Sequence, residues 1–155
     1  MHIRLIAIGT KMPTWVVSGF LHYQKRLTQD ITLELVEIEA LTRTKQADLI
    51  RIKENESNAL LEKVHPKHHV VALDVLGISW SSKALSDQLR AWQHQGKPVD
   101  LLIGGPEGLS NTCLTRATQK WSLSPLTLPH PLVRIIVAEQ LYRAWSMLHN
   151  HPYHR

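Results

Sequence analysis

The chain has 155 residues, 43% apolar and 20% charged, with 18 Lys+Arg against 13 Asp+Glu and a formal net charge of +5. That length suits one domain, residues 1–155, with chain enough for a hydrophobic core, and the composition is that of a globular rather than a disordered chain. No apolar run nears the roughly 18 residues of a membrane helix, Met1 to Lys11 lacks a signal-peptide pattern, and a lone Cys113 cannot form an internal disulfide, so a reducing, cytoplasmic compartment is expected.

Ile3 to Gly9 is an apolar, β-branched run closed by glycine and reads as a strand. From Pro13 to about Thr28, Trp15, Gly19, Phe20, Tyr23 and Leu27 recur at helical spacing. Leu33 to Ile38 alternates apolar residues with glutamate, as a strand with one wetter face does. Leu49, Ile52, Leu60, Leu61 and Val64 fit a second helix, and the polar stretch before it (Leu41 to Gln46) reads as surface, as does Val64 to His69. Val70 to Val75 is short and almost wholly apolar, the pattern of a strand covered on both faces. Ser81 or Ser82 can cap a third helix carrying Leu85, Leu89 and Trp92, and Gly96 closes it. Val99 to Ile103 is a further buried strand, followed at once by Gly104-Gly105-Pro106-Glu107-Gly108. Strands alternating with helices imply an α/β fold with a mainly parallel sheet and helices on both faces.

The last helix, about Leu132 to Leu148, is apolar on nearly every side. Such a helix must be buried all round, either as a central core helix or, the reading preferred here, with one side against a second copy of the chain. Residues 116–155 carry five basic side chains against Glu139 alone, with Trp121, Tyr142, Trp145, Tyr153 and four histidines interleaved. A basic, aromatic end suits a polyanion such as RNA; a solvated tail is the plainer alternative.

Phosphate-loop, dinucleotide, nucleophile-elbow and zinc-helix motifs are absent, and the crowded His149, His151 and His154 make a poor metal cage, so no metal is expected. Three features remain. The Gly104-to-Gly108 loop follows a buried strand, where open α/β sheets bind ligands, though a tight turn alone also explains its glycines. Trp121 to Leu128 alternates apolar side chains with hydroxyls, which suits a flat purine ring or simply an edge strand. In Pro129-His130-Pro131-Leu132-Val133-Arg134 two prolines stiffen His130, while Arg134 puts a cation at the wrong end of a helix dipole. Glu139 and Arg143, four apart, fit a structural ion pair.

The blocks Leu102 to Ser110, Trp121 to Ser124, Leu126 to Arg134, Ala138 to Trp145 and Asn150 to Arg155 together closely resemble the RlmH family. These are ribosomal large-subunit pseudouridine N3-methyltransferases of the SPOUT class. The likeness runs from Ala7-Ile-Gly-Thr-Lys-Met-Pro13 to the last residue, with Pro125 a departure that removes one backbone donor. The resemblance implies a C-terminal trefoil (α/β) knot of the SPOUT type, a homodimer, and S-adenosylmethionine as methyl donor. It places the cofactor against Leu73, Gly104, Leu123, Ser124, Pro125, Leu126, Thr127 and Leu128. The implied target is 23S rRNA within the ribosome. His130 and His154 are then candidate proton acceptors. Arg134, Arg143 and Arg155 are candidates to grip phosphate or polarise a uracil carbonyl, and Tyr153 to stack on a base. A ribosome-binding factor without catalysis and a methyltransferase acting on tRNA are the alternatives.

Overall fold

The first strand, β1 (His2–Ile8), buries both of its faces: Ile3, Leu5 and Ala7 pack into one apolar cluster, Ile6 and Ile8 into another. A strand of that kind has to lie inside a sheet covered on two sides. The computed structural model, which describes residues 1–27 and 30–155, shows that arrangement. In chain order follow α1 (Thr14–Gln24), β2 (Thr32–Ile38), α2 (Leu49–Lys63), β3 (His69–Ser79), α3 (Ser82–Gln95), β4 (Val99–Ile103), α4 (Asn111–Arg116), β5 (Gln119–Ser122) and α5 (His130–Leu148). Five parallel strands pair in the order β2-β1-β4-β3-β5. Phe20 of α1, Leu85, Leu89 and Trp92 of α3, and Val137 and Leu141 of α5 cover one face. Leu60 of α2 and Cys113 of α4 cover the other.

Local chemistry sets the element ends. Asp48 caps α2 by accepting from the Arg51 amide at 3.1 Å, and the Ser81 hydroxyl caps α3 by accepting from Ala84 at 3.0 Å. Gly96 closes α3 at φ 67°, a left-handed conformation that glycine adopts without a Cβ clash. α1 stops at Gln24 with Lys25 as its C-cap, earlier than the spacing suggests, so Leu27 lies beyond the helix; Thr28, the expected end, lies outside the described residues. α4 and β5, six and four residues long, are too short for periodicity to reveal.

β3 runs further than the apolar stretch suggested. Both Leu73 and Ile78 pair with Trp121, so residues 74–77 loop out of the ladder as a four-residue bulge. The chain crowds itself there, since a Cβ on Gly77 would lie 2.7 Å from the Lys120 carbonyl.

α5 is apolar all round because it lies over the sheet and shares one core with α1 and α3. Gly19 lets α1 approach α5 closely: a Cβ there would lie 2.8 Å from Ile135 Cδ1. The central-helix reading therefore accounts for most of its apolar surface, with Leu132 left exposed.

At the sheet end opposite the glycine loop, Asp100 of β4 is fully buried. Arg4 donates to it from Nε at 2.8 Å and Nη2 at 2.9 Å, and His68 Nδ1 lies 3.1 Å from both carboxylate oxygens. Burial alone would raise the Asp100 pKa, but the hydrogen bonds from Arg4 and His68 outweigh it and hold the carboxyl below its usual range.

Candidate functional site

Three segments meet beyond the carboxyl ends of β4, β3 and β5. Residues 104–108 turn directly out of β4, with the Gly108 amide donating to the Gly105 carbonyl at 2.9 Å. Two of these positions require glycine: a Cβ on Gly104 would sit 2.6 Å from the Gly108 carbonyl, and Gly108 has φ 83°. The bulge at 74–77 supplies a second wall. The third is the chain after β5, where Ser122 donates to the Ser124 carbonyl at 3.2 Å and the Ser124 hydroxyl accepts from the Leu126 amide at 3.0 Å. They enclose a cavity of about 730 Å³, within the range of small-molecule sites.

Leu73, Gly104, Leu123, Ser124, Leu126, Thr127, Leu128 and His130 all line this cavity. Pro125 does not; it is exposed, so its missing N–H falls outside the lining. Lys53, Asp74 and Glu107 bring charge to the walls. Asp74 sits at the start of the bulge and Lys53 on α2, and nothing in their local sequence pattern marks either one.

Arg134 faces elsewhere. Its Nη1 donates to Glu37 at 2.7 Å and its Nη2 to the carbonyls of Ile8 at 3.3 Å and Gly9 at 2.7 Å. It lines a separate groove of about 510 Å³ between α1 and the edge strand β2. That groove runs along the strand rather than at its carboxyl end. His130, one turn earlier, opens α5 at the cavity. Burial depresses its pKa, and the positive charges of Arg134 and Arg43 push it further down, so its ring is neutral near pH 7. Glu107 is held low by hydrogen bonds from Arg43.

The remaining candidates sit at the far end of α5. The Tyr153 hydroxyl donates to Glu139 at 3.0 Å, Arg143 Nε donates to the same oxygen at 2.9 Å, and Arg143 lies over the Tyr153 ring at 5.0 Å. His154 Nδ1 is 3.3 Å from the Ser146 hydroxyl, and Arg155 is exposed. Glu139 is nine residues beyond His130, about 14 Å along the helix, so one chain alone does not bring this cluster into the cavity. Burial and the bond to Glu139 push the Tyr153 phenol up. Of the cations in the basic stretch, Arg134 is paired with Glu37 and Arg143 with Glu139. Among the described residues no group of three His, Cys, Asp or Glu could hold a metal ion, and no helix is long and apolar enough to cross a membrane.

A family model described as predicted SPOUT methyltransferase matches residues 1–154. Ribosomal RNA large subunit methyltransferase H of Hahella chejuensis is 54% identical over 155 residues, which is all of this chain and 99% of that protein. Among solved structures, a probable methylase family protein from Haemophilus influenzae superposes with a TM-score of 0.60 at 14% identity, over 96% of this chain and 68% of that one. A probable methyltransferase from Bordetella pertussis gives 0.54 at 14% identity, over 92% of this chain and 95% of that one.

Proposed function

The chain belongs to the SPOUT methyltransferase family, and we propose that it methylates N3 of a pseudouridine in 23S rRNA of the assembled ribosome, using S-adenosylmethionine, as one domain of 155 residues in the cytoplasm. The observation that carries this reading is the cavity at the carboxyl ends of β3 and β4, in a chain 54% identical to a ribosomal RNA large subunit methyltransferase. The C-terminal trefoil knot is part of the same reading.

The walls suit the donor. Leu73, Leu123 and Leu128 offer an apolar slot for an adenine ring, and residues 104–108 and 123–128 offer backbone donors and acceptors for a ribose and an amino acid end. When bound, S-adenosylmethionine supplies a methyl group already activated on a sulfonium. The chain's own work is then alignment, exclusion of water and removal of a proton from the acceptor nitrogen. His130 is suited to the last task. Its neutral ring lines the cavity on the first turn of α5, and Pro129 and Pro131 limit its backbone freedom. Arg134, one turn further on, anchors the start of α5 to Glu37 and Gly9.

Tyr153, His154 and Arg155 reach the reaction from a second copy of the chain. Support comes from apolar side chains left bare: Leu76 is 88% exposed and Leu126 72% exposed at the cavity rim, and Trp15 on α1 is 56% exposed. Surfaces of that kind mark interfaces. In a two-fold dimer the cationic end of one chain completes the cavity of the other.

Mass spectrometry of rRNA and tRNA from cells lacking the protein tests the reading. Loss of one methyl group from a pseudouridine of 23S rRNA is the expected result. Loss from tRNA would transfer the activity to that substrate, and no loss from either would leave a ribosome-binding factor without catalysis.

A further inference from the structure

The turn at 104–108 is held from behind by a side chain remote in sequence. Arg43 lies in the polar stretch before α2, which reads from sequence as surface. Its Nε and Nη2 donate to the Glu107 carboxylate at 3.0 and 2.6 Å, a two-pronged grip on the tip of the turn. The same guanidinium donates from Nη1 and Nη2 to Glu56 at 3.1 and 2.6 Å, and from Nη1 to the Leu41 carbonyl at 3.0 Å. Glu56 belongs to α2, is only 4% exposed, and also accepts from the Leu41 amide at 3.0 Å. One cation therefore ties the mobile kind of element, a glycine-rich turn, to a rigid helix.

The fit is close. A Cβ on Gly105 would lie 2.7 Å from Glu56 Oε1 and 2.9 Å from Arg43 Nη2, so the charged cluster fills the space directly behind the turn. Glycines make such a turn cheap to rearrange, and Pro106 and Gly108 within it are exposed to water. A planar, five-donor guanidinium can bridge two carboxylates at once, whereas an ammonium on a flexible stem cannot hold that geometry.

We propose that Arg43 is a positioning residue for the methyl-donor site: by joining Glu107 to Glu56 it fixes residues 104–108 in the shape that receives the donor. The inference rests on the function proposed above and assigns it a residue outside the cavity lining.

The test uses the full chain with Arg43→Met, Arg43→Lys and Glu107→Gln. S-adenosylmethionine affinity is read by calorimetry, methyl transfer as KM and kcat separately, and Gly108 amide exchange by hydrogen–deuterium exchange without ligand. Arg43→Met should weaken donor affinity about tenfold, a factor in the usual range for coupling between a remote contact and a binding site. The donor KM should rise by a similar factor with a smaller change in kcat, and Gly108 should exchange faster. Arg43→Lys should recover part of the affinity. In a Glu107→Gln background, Arg43→Met should add less than it does alone.

A folded Arg43→Met chain whose affinity stays within about twofold of the parent overturns the proposal. If that variant does not fold, Glu107→Gln, which leaves the Arg43–Glu56 pair intact, decides the matter by the same affinity and exchange readings. A parent chain that gives no heat with S-adenosylmethionine overturns the donor reading itself, and the Arg43 proposal with it. Equal binding by parent and variants overturns the Arg43 proposal alone.

Discussion

Arg134 Nη2 donates to the Gly9 carbonyl at 2.7 Å, joining the second turn of α5 to the end of β1 across 125 positions of sequence. That contact explains a cation where the helix dipole disfavours one: free strand-end carbonyls and Glu37 neutralise it. The guanidinium is 1% exposed, and Arg134→Ala would leave Glu37 and two carbonyls without their donor. We expect a loss of about 3 kcal/mol in urea-derived stability, because one partner, Glu37, keeps some contact with water. Arg134→Lys should recover only part of it. Unchanged stability in Arg134→Ala would mean that these contacts do not hold α5 to the strand ends.

Asp100 predicts the acid response. Its carboxyl is held below the usual range in the folded chain, so the folded state binds fewer protons than the unfolded one as pH falls toward about 3.9. The stability it contributes is present above that value and is lost as pH drops through the lower, folded one. Replacing it, as Asp100→Asn, should cost about 3 kcal/mol at neutral pH by leaving Arg4 unpaired. It should also flatten the dependence of the urea midpoint on pH between about 5 and 3. A variant that keeps the parent's acid slope would remove Asp100 from that role.

The parallel α/β order was legible because each long element carries its own periodicity and its own stop: Gly9 ends β1, and Ser81 and Gly96 bound α3. The candidate cavity was legible in part for a similar reason, since the glycines and the apolar–hydroxyl segment are contiguous runs. What stayed hidden depends on contacts remote in sequence. Arg134 sits beside His130 in the chain, yet its guanidinium points to β1 and β2, a direction set by the packing of α5 on α1. Arg43 meets Glu107 across 64 positions in a stretch without periodicity. The bulge at 74–77 lets Leu73 and Ile78 both pair with Trp121, which no spacing along β3 announces. The all-apolar α5 has neighbours within its own chain that its sequence could not distinguish from a second subunit.

His130 sets the expected pH profile of transfer. With its pKa pushed down by burial and by the neighbouring arginines, the ring stays neutral below the ordinary value of about 6.5. Turnover limited by this base should therefore hold level as pH falls to about 6.5 and drop only below it. His130→Gln should lower kcat by about 100-fold and remove that acidic limb. The same shift has a stability consequence. The unfolded chain binds the proton more readily, so stability rises with pH between the depressed folded value and about 6.5, and the variant should lose that rise. A variant with full turnover at saturating donor would assign the proton to another acceptor.

Salt dependence separates the cations that are free to meet RNA from those already committed. Each phosphate neutralised by the protein steepens the fall of log affinity with log salt by nearly one unit. Arg155 is exposed at the chain's end, whereas Arg143 already shares the Glu139 oxygen with the Tyr153 hydroxyl, and its pKa is raised by that hydrogen bond. Releasing Arg143 to a phosphate would give up an ion pair and a contact with the Tyr153 ring, so its net gain is smaller. Arg155→Ala should reduce the slope of ribosome binding by about one unit, and Arg143→Ala by clearly less. Filter binding of the three chains to ribosomes over about 50 to 200 mM salt makes the comparison. Equal slopes for Arg155→Ala and the parent would mean that the chain's end does not touch RNA, and a larger effect from Arg143→Ala would mean that its pairing with Glu139 opens on the ribosome.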